Sequence, residues 1–320
     1  MPGHGADKWA HPAVILVATD LGDLDRLMPF AIQQAGGTYA RLILLHVLPC
    51  CMAPVHHTFE RPHYDPSGAR ASAVRAMLPW CNMARAQQIA CSIIVREGDP
   101  ALQISAAARQ FQADRVLLGT RTRGRVTKTL LGSVAEQVLR LVHSPVITVG
   151  PEACLPVVRS GGEKVVLHAT TIGETSRPGA ALACQIAAAQ NARLVLLHVL
   201  PNMYERRGRG VPVEPDDPVL LQLQHLAAEV SGAVADGEVT VEPYVTRGNP
   251  SIEILAISAE LRASMIVLST SHRSFLRSLT GDGAIYRVLA HAPCPVLTLR
   301  EPAEVEAVGE AAGMASSLAV

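Results

Sequence analysis

The chain has 320 residues, of which 49% are apolar but only 3% aromatic. Its 28 basic residues balance its 28 acidic ones, so no overall charge would recruit nucleic acid or an anionic membrane. No run reaches ~18 consecutive apolar residues, which argues against a membrane-spanning helix. The N-terminus has no apolar signal segment, and seven scattered cysteines without a CxxC pair favour reduced thiols, so we expect a cytoplasmic protein.

An internal repeat sets the domain organisation. The segment ARLILLHVLP at 40–49 recurs as ARLVLLHVLP at 192–201, with nine of ten positions identical. Other matched segments keep an offset of about 150 residues, so each repeat is long enough to form a whole domain. We therefore expect a flexible N-terminus at 1–11, a first domain at 12–150, a linker at 151–163, a second domain at 164–300 and a C-terminal tail at 301–320.

Strand and helix patterns alternate along the first repeat. Continuous apolar runs, typical of strands buried on both faces, lie at 14–18, 42–48, 91–95, 115–119 and 145–149. Helical patterns lie between them at 24–35, 69–90, from 100 onward and at 133–141. Gly36-Gly37 is a stop signal for the first helix, and Pro79 is expected to kink or break the second. The second repeat retraces this order, which predicts an α/β fold with two tandem, doubly wound parallel sheets.

Ligands of open parallel sheets bind at the carboxyl ends of the strands, where the strand order reverses. In the first repeat, Thr19-Asp20 follow the first strand, His46-Val47 end the second, and Gly119 ends the fourth. We therefore expect any ligand site to be built from these three segments.

The chain resembles the universal stress protein family over both repeats. The residues that carry the resemblance are ILVATD at 15–20, LLHV at 44–47, EGDP at 97–100, LLGT…LLGSVAEQVL at 117–139 and SPVITV at 144–149. The resemblance implies five-stranded, Rossmann-like domains of the adenine nucleotide alpha hydrolase type. In one subclass it implies ATP, with Mg²⁺, bound through G-x-x-G-x9-G-[S/T] after the fourth strand. It also implies that domains pair through their fifth strands.

The phosphate motif that this resemblance implies is kept in part. Gly119 matches its first glycine, and Gly132-Ser133 match its final pair, with the spacing of 13 intact. Thr122 stands at the middle glycine, and a β-branched residue resists the close backbone approach and positive φ that glycine allows. Ser133 also begins a helix, whose free amides favour phosphate. The motif therefore predicts a nucleotide site with one damaged element.

Four cations follow Gly119, namely Arg121, Arg123, Arg125 and Lys128. They are either phosphate contacts or the charges of a solvated loop. We include Arg121 and Arg123 among the candidate nucleotide-binding residues.

Two further candidates follow from the resemblance. Asp20 matches the family's aspartate near the adenosine, and Val47 matches a position whose backbone lies against adenine. The alternative for Asp20 is a cap on the following turn, satisfied by backbone amides. His46 recurs as His198 in a repeat without the ATP motif, which favours a structural role for both histidines.

The second repeat has lost the candidate site. Thr171 stands at the position of Asp20, Ser269 at that of Gly119, His272 at the middle position, and Asp282-Gly283 at the final pair. A carboxylate at 282 would repel phosphate. We expect at most one nucleotide per chain, in the first repeat.

A cluster of metal-ligand residue types lies between the second strand and the second helix, at Cys50, Cys51, His56, His57 and His63. Adjacent pairs chelate tetrahedral zinc poorly, and the second repeat has nothing comparable. We expect no metal site, and the role of this loop stays open.

Two functions remain as alternatives. The first is a regulatory or stress-response module that binds ATP in the first repeat and pairs as a homo-oligomer or an intramolecular pseudo-dimer. The second is a nucleotide-free scaffold that acts only through an unknown protein partner. No general base or water-positioning residue is recognisable, so we expect no catalytic residue and at most a weak ATPase.

Overall fold

The computed structural model describes residues 10–48, 65–120, 131–153, 163–172, 176–201, 211–212, 217–234, 239–271 and 283–301. Strands and helices alternate along these residues. In the first repeat they are β1 (Val14–Thr19), α1 (Leu24–Gly36), β2 (Arg41–Leu48), α2 (Pro66–Ala86), β3 (Cys91–Glu97), α3 (Pro100–Gln110), β4 (Arg115–Gly119), α4 (Ser133–Leu141) and β5 (Val146–Val149).

The second repeat follows the same order. Its elements are β6 (Lys164–Ala169), α5 (Arg177–Ala189), β7 (Ala192–Pro201), β8 (Val211–Pro212), α6 (Pro218–Gly232), β9 (Val241–Gly248), α7 (Pro250–Glu260), β10 (Met265–Ser271), α8 (Ala284–His291) and β11 (Val296–Glu301). None of the helices in the described residues is long and apolar enough to cross a membrane.

The eleven strands of the described residues form one sheet in the order β3-β2-β1-β4-β5-β11-β10-β6-β7-β9-β8. Within the first repeat the five strands are parallel. The second repeat has five parallel strands as well, and adds the two-residue β8 antiparallel to β9. In each repeat the first strand lies beside the fourth, which is where the strand order reverses. The predicted α/β fold with two tandem copies is confirmed.

The fifth strands of the two repeats join the sheet into one. β5 runs antiparallel to β11, with Ile147 opposite Leu297 at the centre of the pairing. Both of these side chains are 1% exposed, and the hydroxyl of Thr148 donates to the carbonyl oxygen of Val296 at 3.4 Å. The expected pairing through the fifth strands is confirmed, and it occurs within a single chain.

One hydrophobic core lies on each face of the sheet. The first contains side chains of α1, α2, α5 and α6, and the second contains side chains of α3, α4, α7 and α8. Along β1, Ile15 and Val17 face the first core, whereas Leu16 and Ala18 face the second. This arrangement explains why the strands read as continuous apolar runs, since both faces are covered by helices. Each core includes residues of both repeats.

The second helix differs from its prediction. Pro79 lies inside α2, which continues unbroken from Pro66 to Ala86, so a break at Pro79 was wrong. The helix begins where the Asp65 side chain accepts a hydrogen bond from the amide of Ser67 at 3.0 Å. Proline removes one helical hydrogen bond, but the fully buried Met77 and Cys81 hold the turns on either side against the sheet.

The ends of two predicted segments are also adjusted. Helix α1 ends at Gly36 as expected, but Gly37 keeps a right-handed conformation, and the positive φ of 57° falls on Tyr39.

Ala10, expected within a flexible segment, is buried and accepts a hydrogen bond from Arg115 at 3.1 Å. Arg115 also donates to the side-chain oxygen of Gln34 at 2.7 Å, and burial lowers the pKa of its guanidinium to about 10. Ala10 is therefore anchored to the first repeat.

The buried pairing of β5 with β11 leads to a prediction. Leu297→Ala should lower the free energy of unfolding by about 2–5 kcal/mol, because it removes apolar contacts and leaves a cavity at the junction of the repeats. Leu102→Ala, at a side chain that is 60% exposed, is the matched control and should change it little. Urea denaturation measures both, and equal effects would contradict a packed junction.

Candidate functional site

A cavity of about 240 Å³ opens at the carboxyl ends of β1, β2 and β4. This is the edge of the sheet at which the strand order predicts a ligand. Its walls are mostly apolar, with a few polar groups at the strand ends. The lining residues are Ala18, Thr19, Asp20, Asp23, Leu45, His46, Val47, Pro100, Ile104, Leu118, Gly119, Thr120, Gly132, Val134 and Ala135.

Four of the predicted site residues line this cavity. They are Asp20 after β1, Val47 in β2, Gly119 at the end of β4 and Gly132 before α4. Ser133 is the first residue of α4 and is exposed, and it is not among the lining residues. The fold thus brings together segments that lie more than a hundred positions apart in the chain.

The predicted cations lie outside the described residues. Arg121 and Arg123, together with Thr122, Arg125 and Lys128, fall in 121–130, which lies outside the described residues. Among the described residues that line the cavity, none is lysine or arginine, whereas two are aspartates.

Asp20 makes the contact that a turn cap would make. Its Oδ1 accepts a hydrogen bond from the amide of Gly22 at 2.8 Å. The residue is only partly buried and its side chain also lines the cavity. The turn contact and a ligand contact are therefore compatible, because a carboxylate has acceptor capacity for both.

Asp23 is a polar residue of the cavity that the sequence motifs do not predict. Its Oδ1 accepts a hydrogen bond from the Thr19 hydroxyl at 2.5 Å, and the Thr19 oxygen accepts one from the amide of Leu21 at 2.9 Å. Asp23 is 4% exposed, and burial raises the pKa of its carboxyl to about 6. The charge of Asp20 raises the pKa further, while the Thr19 hydrogen bond and the Arg26 charge oppose the rise.

The Asp23 carboxyl explains why β4 ends in glycine. A Cβ on Gly119 would lie 2.5 Å from Asp23 Oδ2, which is closer than two such atoms can approach. The backbone of Gly119 does not have positive φ, so the requirement is for space alone. The sequence around Asp23 carries no signal for this contact, because Gly119 is ninety-six positions away.

The other wall of the cavity is formed by the start of α4. Gly132 is the N-cap of this helix, in an extended conformation, and no side chain caps it. Its amide donates to the carbonyl oxygen of Thr120 at 2.7 Å. We call this pairing of Thr120 with Gly132, on either side of the segment 121–130, the stem. The Thr120 hydroxyl is buried in the cavity wall without a hydrogen-bond partner among the described residues.

The two strand-end histidines make equivalent contacts. His46 Nδ1 donates to the carbonyl oxygen of Thr19 at 2.9 Å, and His198 Nδ1 donates to that of Thr170 at 2.9 Å. Each histidine therefore ties its strand to the end of the first strand of its own repeat. The recurrence supports the structural interpretation of both residues, although His46 also contributes a wall of the cavity.

The equivalent positions of the second repeat carry different groups. Thr171 is exposed at the position of Asp20, and Ser269 is partly buried at that of Gly119. Gly283, and not residue 282, is the N-cap of α8, so the sequence alignment is shifted by one residue at this helix start. His272 and Asp282 lie outside the described residues.

The cysteine and histidine cluster at Cys50, Cys51, His56, His57 and His63 also falls outside the described residues. Within the ranges that the structure does describe, no group of three or more His, Cys, Asp or Glu residues could hold a metal ion. The four cysteines in those ranges are free and buried.

Comparison with known proteins decides the family. The sequence profile of the universal stress protein family matches residues 13–150 and again residues 163–300. The chain belongs to the universal stress protein family. No curated protein matches this universal stress protein at a significant level.

Two of the solved structures to which this chain is similar show the same fold over most of its length. A universal stress protein from Archaeoglobus fulgidus DSM 4304 is 18% identical with a TM-score of 0.68, over 90% of this chain and 96% of its own. A functionally unknown protein from Pseudomonas aeruginosa PAO1 is 17% identical with a TM-score of 0.59, over 92% and 94%. A universal stress protein crystallised in complex with cAMP is 19% identical with a TM-score of 0.33, over 43% of this chain and 97% of its own.

The raised pKa of Asp23 predicts a pH-dependent stability. The Asp23 carboxyl binds its proton more tightly in the folded state than in the unfolded state. Its contribution therefore lowers the free energy of unfolding as pH rises from about 4 to about 6, and the free energy stays lowered above pH 6. Asp23→Asn, which keeps an oxygen for Thr19, should raise the free energy of unfolding by up to about 3 kcal/mol at pH 7. The gain should shrink toward zero near pH 4.

Urea denaturation at several pH values measures this difference between the variant and the parent protein. Asp25→Asn is the matched control, because Asp25 lies in the same helix turn but is exposed. An Asp23→Asn effect that is the same at pH 4 and pH 7 would show that burial of the charge is not its cause.

The contact between Gly119 and Asp23 can be tested by a double substitution. Gly119→Ala should lower the free energy of unfolding by about 1–3 kcal/mol through overpacking, and adding Asp23→Ala should recover part of the loss. Gly36→Ala is the control, because nothing lies within 4 Å of a Cβ at Gly36. Strictly additive effects of the Gly119 and Asp23 substitutions would rule out the contact.

Proposed function

We propose that this universal stress protein is a regulatory, stress-response module that binds one adenine nucleotide per chain in its first repeat. The observation that carries the proposal is the cavity at the strand ends, in which the fold gathers Asp20, Val47, Gly119 and Gly132. These are four of the residues that the family resemblance assigns to the nucleotide. We also propose that the units are domains at 12–150 and 164–300, and that the protein works in the cytoplasm.

The chemistry of the cavity suits a nucleoside. Its apolar walls, which include Val47, Ile104 and Leu118, can exclude water from the faces of a flat base. The carboxyl group of Asp20 can accept hydrogen bonds from the hydroxyl or amine groups of an adenosine. Because Asp20 is only partly buried, it can make these contacts without breaking its turn.

The phosphate half of the ligand would lie at the start of α4. The N-terminal amides of a helix favour anions, and Gly132 brings no side chain to obstruct them. Arg121 and Arg123 would supply the positive charge that the described walls lack, and Mg²⁺ would accompany a triphosphate. The buried carboxyl of Asp23 opposes anion binding when ionised, and its raised pKa reduces that opposition below about pH 6.

The alternative is a universal stress scaffold without nucleotide, acting only through protein–protein contacts. Two observations favour it: Thr122 replaces a motif glycine, and the described lining of the cavity includes two aspartates but no lysine or arginine. The second repeat fits this role by itself, with Thr171 and Ser269 at the two matched positions.

Isothermal titration with ATP and Mg²⁺ tests the proposal. We expect one ATP per chain with modest affinity, because Thr122 occupies a glycine position. Asp20→Ala should weaken binding about tenfold, as expected for loss of a charged hydrogen bond, whereas the matched Thr171→Ala should change nothing. Thr122→Gly should tighten binding, and Gly132→Asp should abolish it.

The outcomes separate the alternatives. A stoichiometry of two, or binding that is insensitive to Gly132→Asp, would contradict a site confined to the first repeat. No binding by any variant, Thr122→Gly included, together with no nucleotide released from freshly purified protein in mass spectrometry, would favour the scaffold.

A further inference from the structure

A buried hydrogen bond joins the second repeat to the wall of the first-repeat cavity. The amide of Leu131 donates to the hydroxyl oxygen of Tyr286 at 3.1 Å, across 155 positions of the chain. Both residues are buried and belong to the same hydrophobic core. The contact is thus shielded from water, where an unpaired amide would be costly.

Leu131 lies next to the stem of the site. It directly follows the segment 121–130 and precedes Gly132, whose amide donates to the carbonyl oxygen of Thr120 at 2.7 Å. Thr120 is in turn held by β5, since its amide donates to the carbonyl oxygen of Val149 at 3.2 Å. Helix α4 begins directly after this stem and contributes Val134 and Ala135 to the cavity. The Tyr286 hydroxyl therefore fixes the residue from which the phosphate-facing wall starts.

Both ends of helix α8 lie close to this part of the first repeat. Tyr286 is in its first turn, and Ala292 is its C-cap. A methyl group added at Gly150 would lie 3.6 Å from the carbonyl oxygen of Ala292 and 3.8 Å from the Thr120 hydroxyl. The second repeat is therefore packed along the base of the segment that bears the candidate phosphate contacts.

The first repeat has no tyrosine at the matching position of its own helix, α4. Counted from the N-caps Gly132 and Gly283, the position of Tyr286 in α8 is taken in α4 by Ala135, which has no hydroxyl. The second repeat, which lacks the motif residues, supplies the tyrosine. The first repeat, which keeps the motif residues, supplies the amide that donates to it.

We propose that Tyr286 is a positioning residue for the phosphate-binding half of the first-repeat site, so that the second repeat is the built-in partner of the first. The proposal rests on the proposed function for its ligand. The Tyr286 hydroxyl holds Leu131, and through Leu131 it sets the start of α4, which faces the phosphates. The nucleoside half of the cavity, at β1 and β2, does not depend on it.

Tyr286→Phe tests this, because it removes only the hydroxyl. We expect ATP binding to weaken about 5- to 20-fold, since the buried Leu131 amide loses its acceptor and the stem relaxes. Adenosine, which has no phosphate, should bind the variant as it binds the parent protein. Thr148→Val is the matched control: it removes a side-chain hydrogen bond between the repeats that lies away from the cavity, from Thr148 to Val296, and should leave both affinities unchanged.

A second measurement does not need a ligand. Hydrogen exchange, followed by mass spectrometry of peptides that cover residues 131–135, should be faster in Tyr286→Phe than in the parent protein or in Thr148→Val. If the parent protein binds neither ATP nor adenosine but exchange at the stem is faster in Tyr286→Phe, the proposed function fails and the support of the stem by Tyr286 stands. Unchanged exchange, or an equal loss of ATP and adenosine affinity, overturns the positioning role.

Discussion

The pairing of β5 with β11 is the contact on which the rest of this molecule depends. Each strand is the outer strand of its own parallel sheet, and an unpaired apolar edge would expose both hydrogen-bonding groups and buried side chains. Antiparallel pairing around Ile147 and Leu297 satisfies both edges at once and merges the two sheets. The same pairing places α8 against the stem between Thr120 and Gly132, so the shape of the first-repeat cavity depends on the junction.

The cavity also shows why a glycine motif alone is weak evidence for a nucleotide. Gly119 is required by the Asp23 carboxyl, whose Oδ2 would clash with any Cβ there. A glycine at that place would therefore be needed even without a phosphate. The Asp23 carboxyl itself has a cost: burial raises its pKa to about 6, so that it destabilises the fold at neutral pH.

The sequence predicted the fold well because repeats and apolar runs are local signals. The ten-residue match at 40–49 and 192–201, and the runs that became β1 and β4, needed no knowledge of distant contacts. The failures depend on packing. Pro79 lies inside α2 because packing against the sheet stabilises the helix on both sides of it. Asp23 was not predicted because its role depends on a contact with Gly119, ninety-six positions away. The bond from Leu131 to Tyr286 has no local signal at all.

Fusion of the repeats makes the asymmetry of this site possible. In a symmetric homodimer both subunits have the same residue at every position, so a tyrosine that supports the neighbouring site would occupy the helix start of its own site as well. Here α4 carries Ala135 at the third position after its N-cap, while α8 carries at that position the tyrosine whose hydroxyl accepts from Leu131. Under the proposed role of Tyr286, the second repeat contributes through the junction and can carry Thr171 and Ser269 where the first has Asp20 and Gly119. The degenerate repeat is on this view a specialised half of a single site.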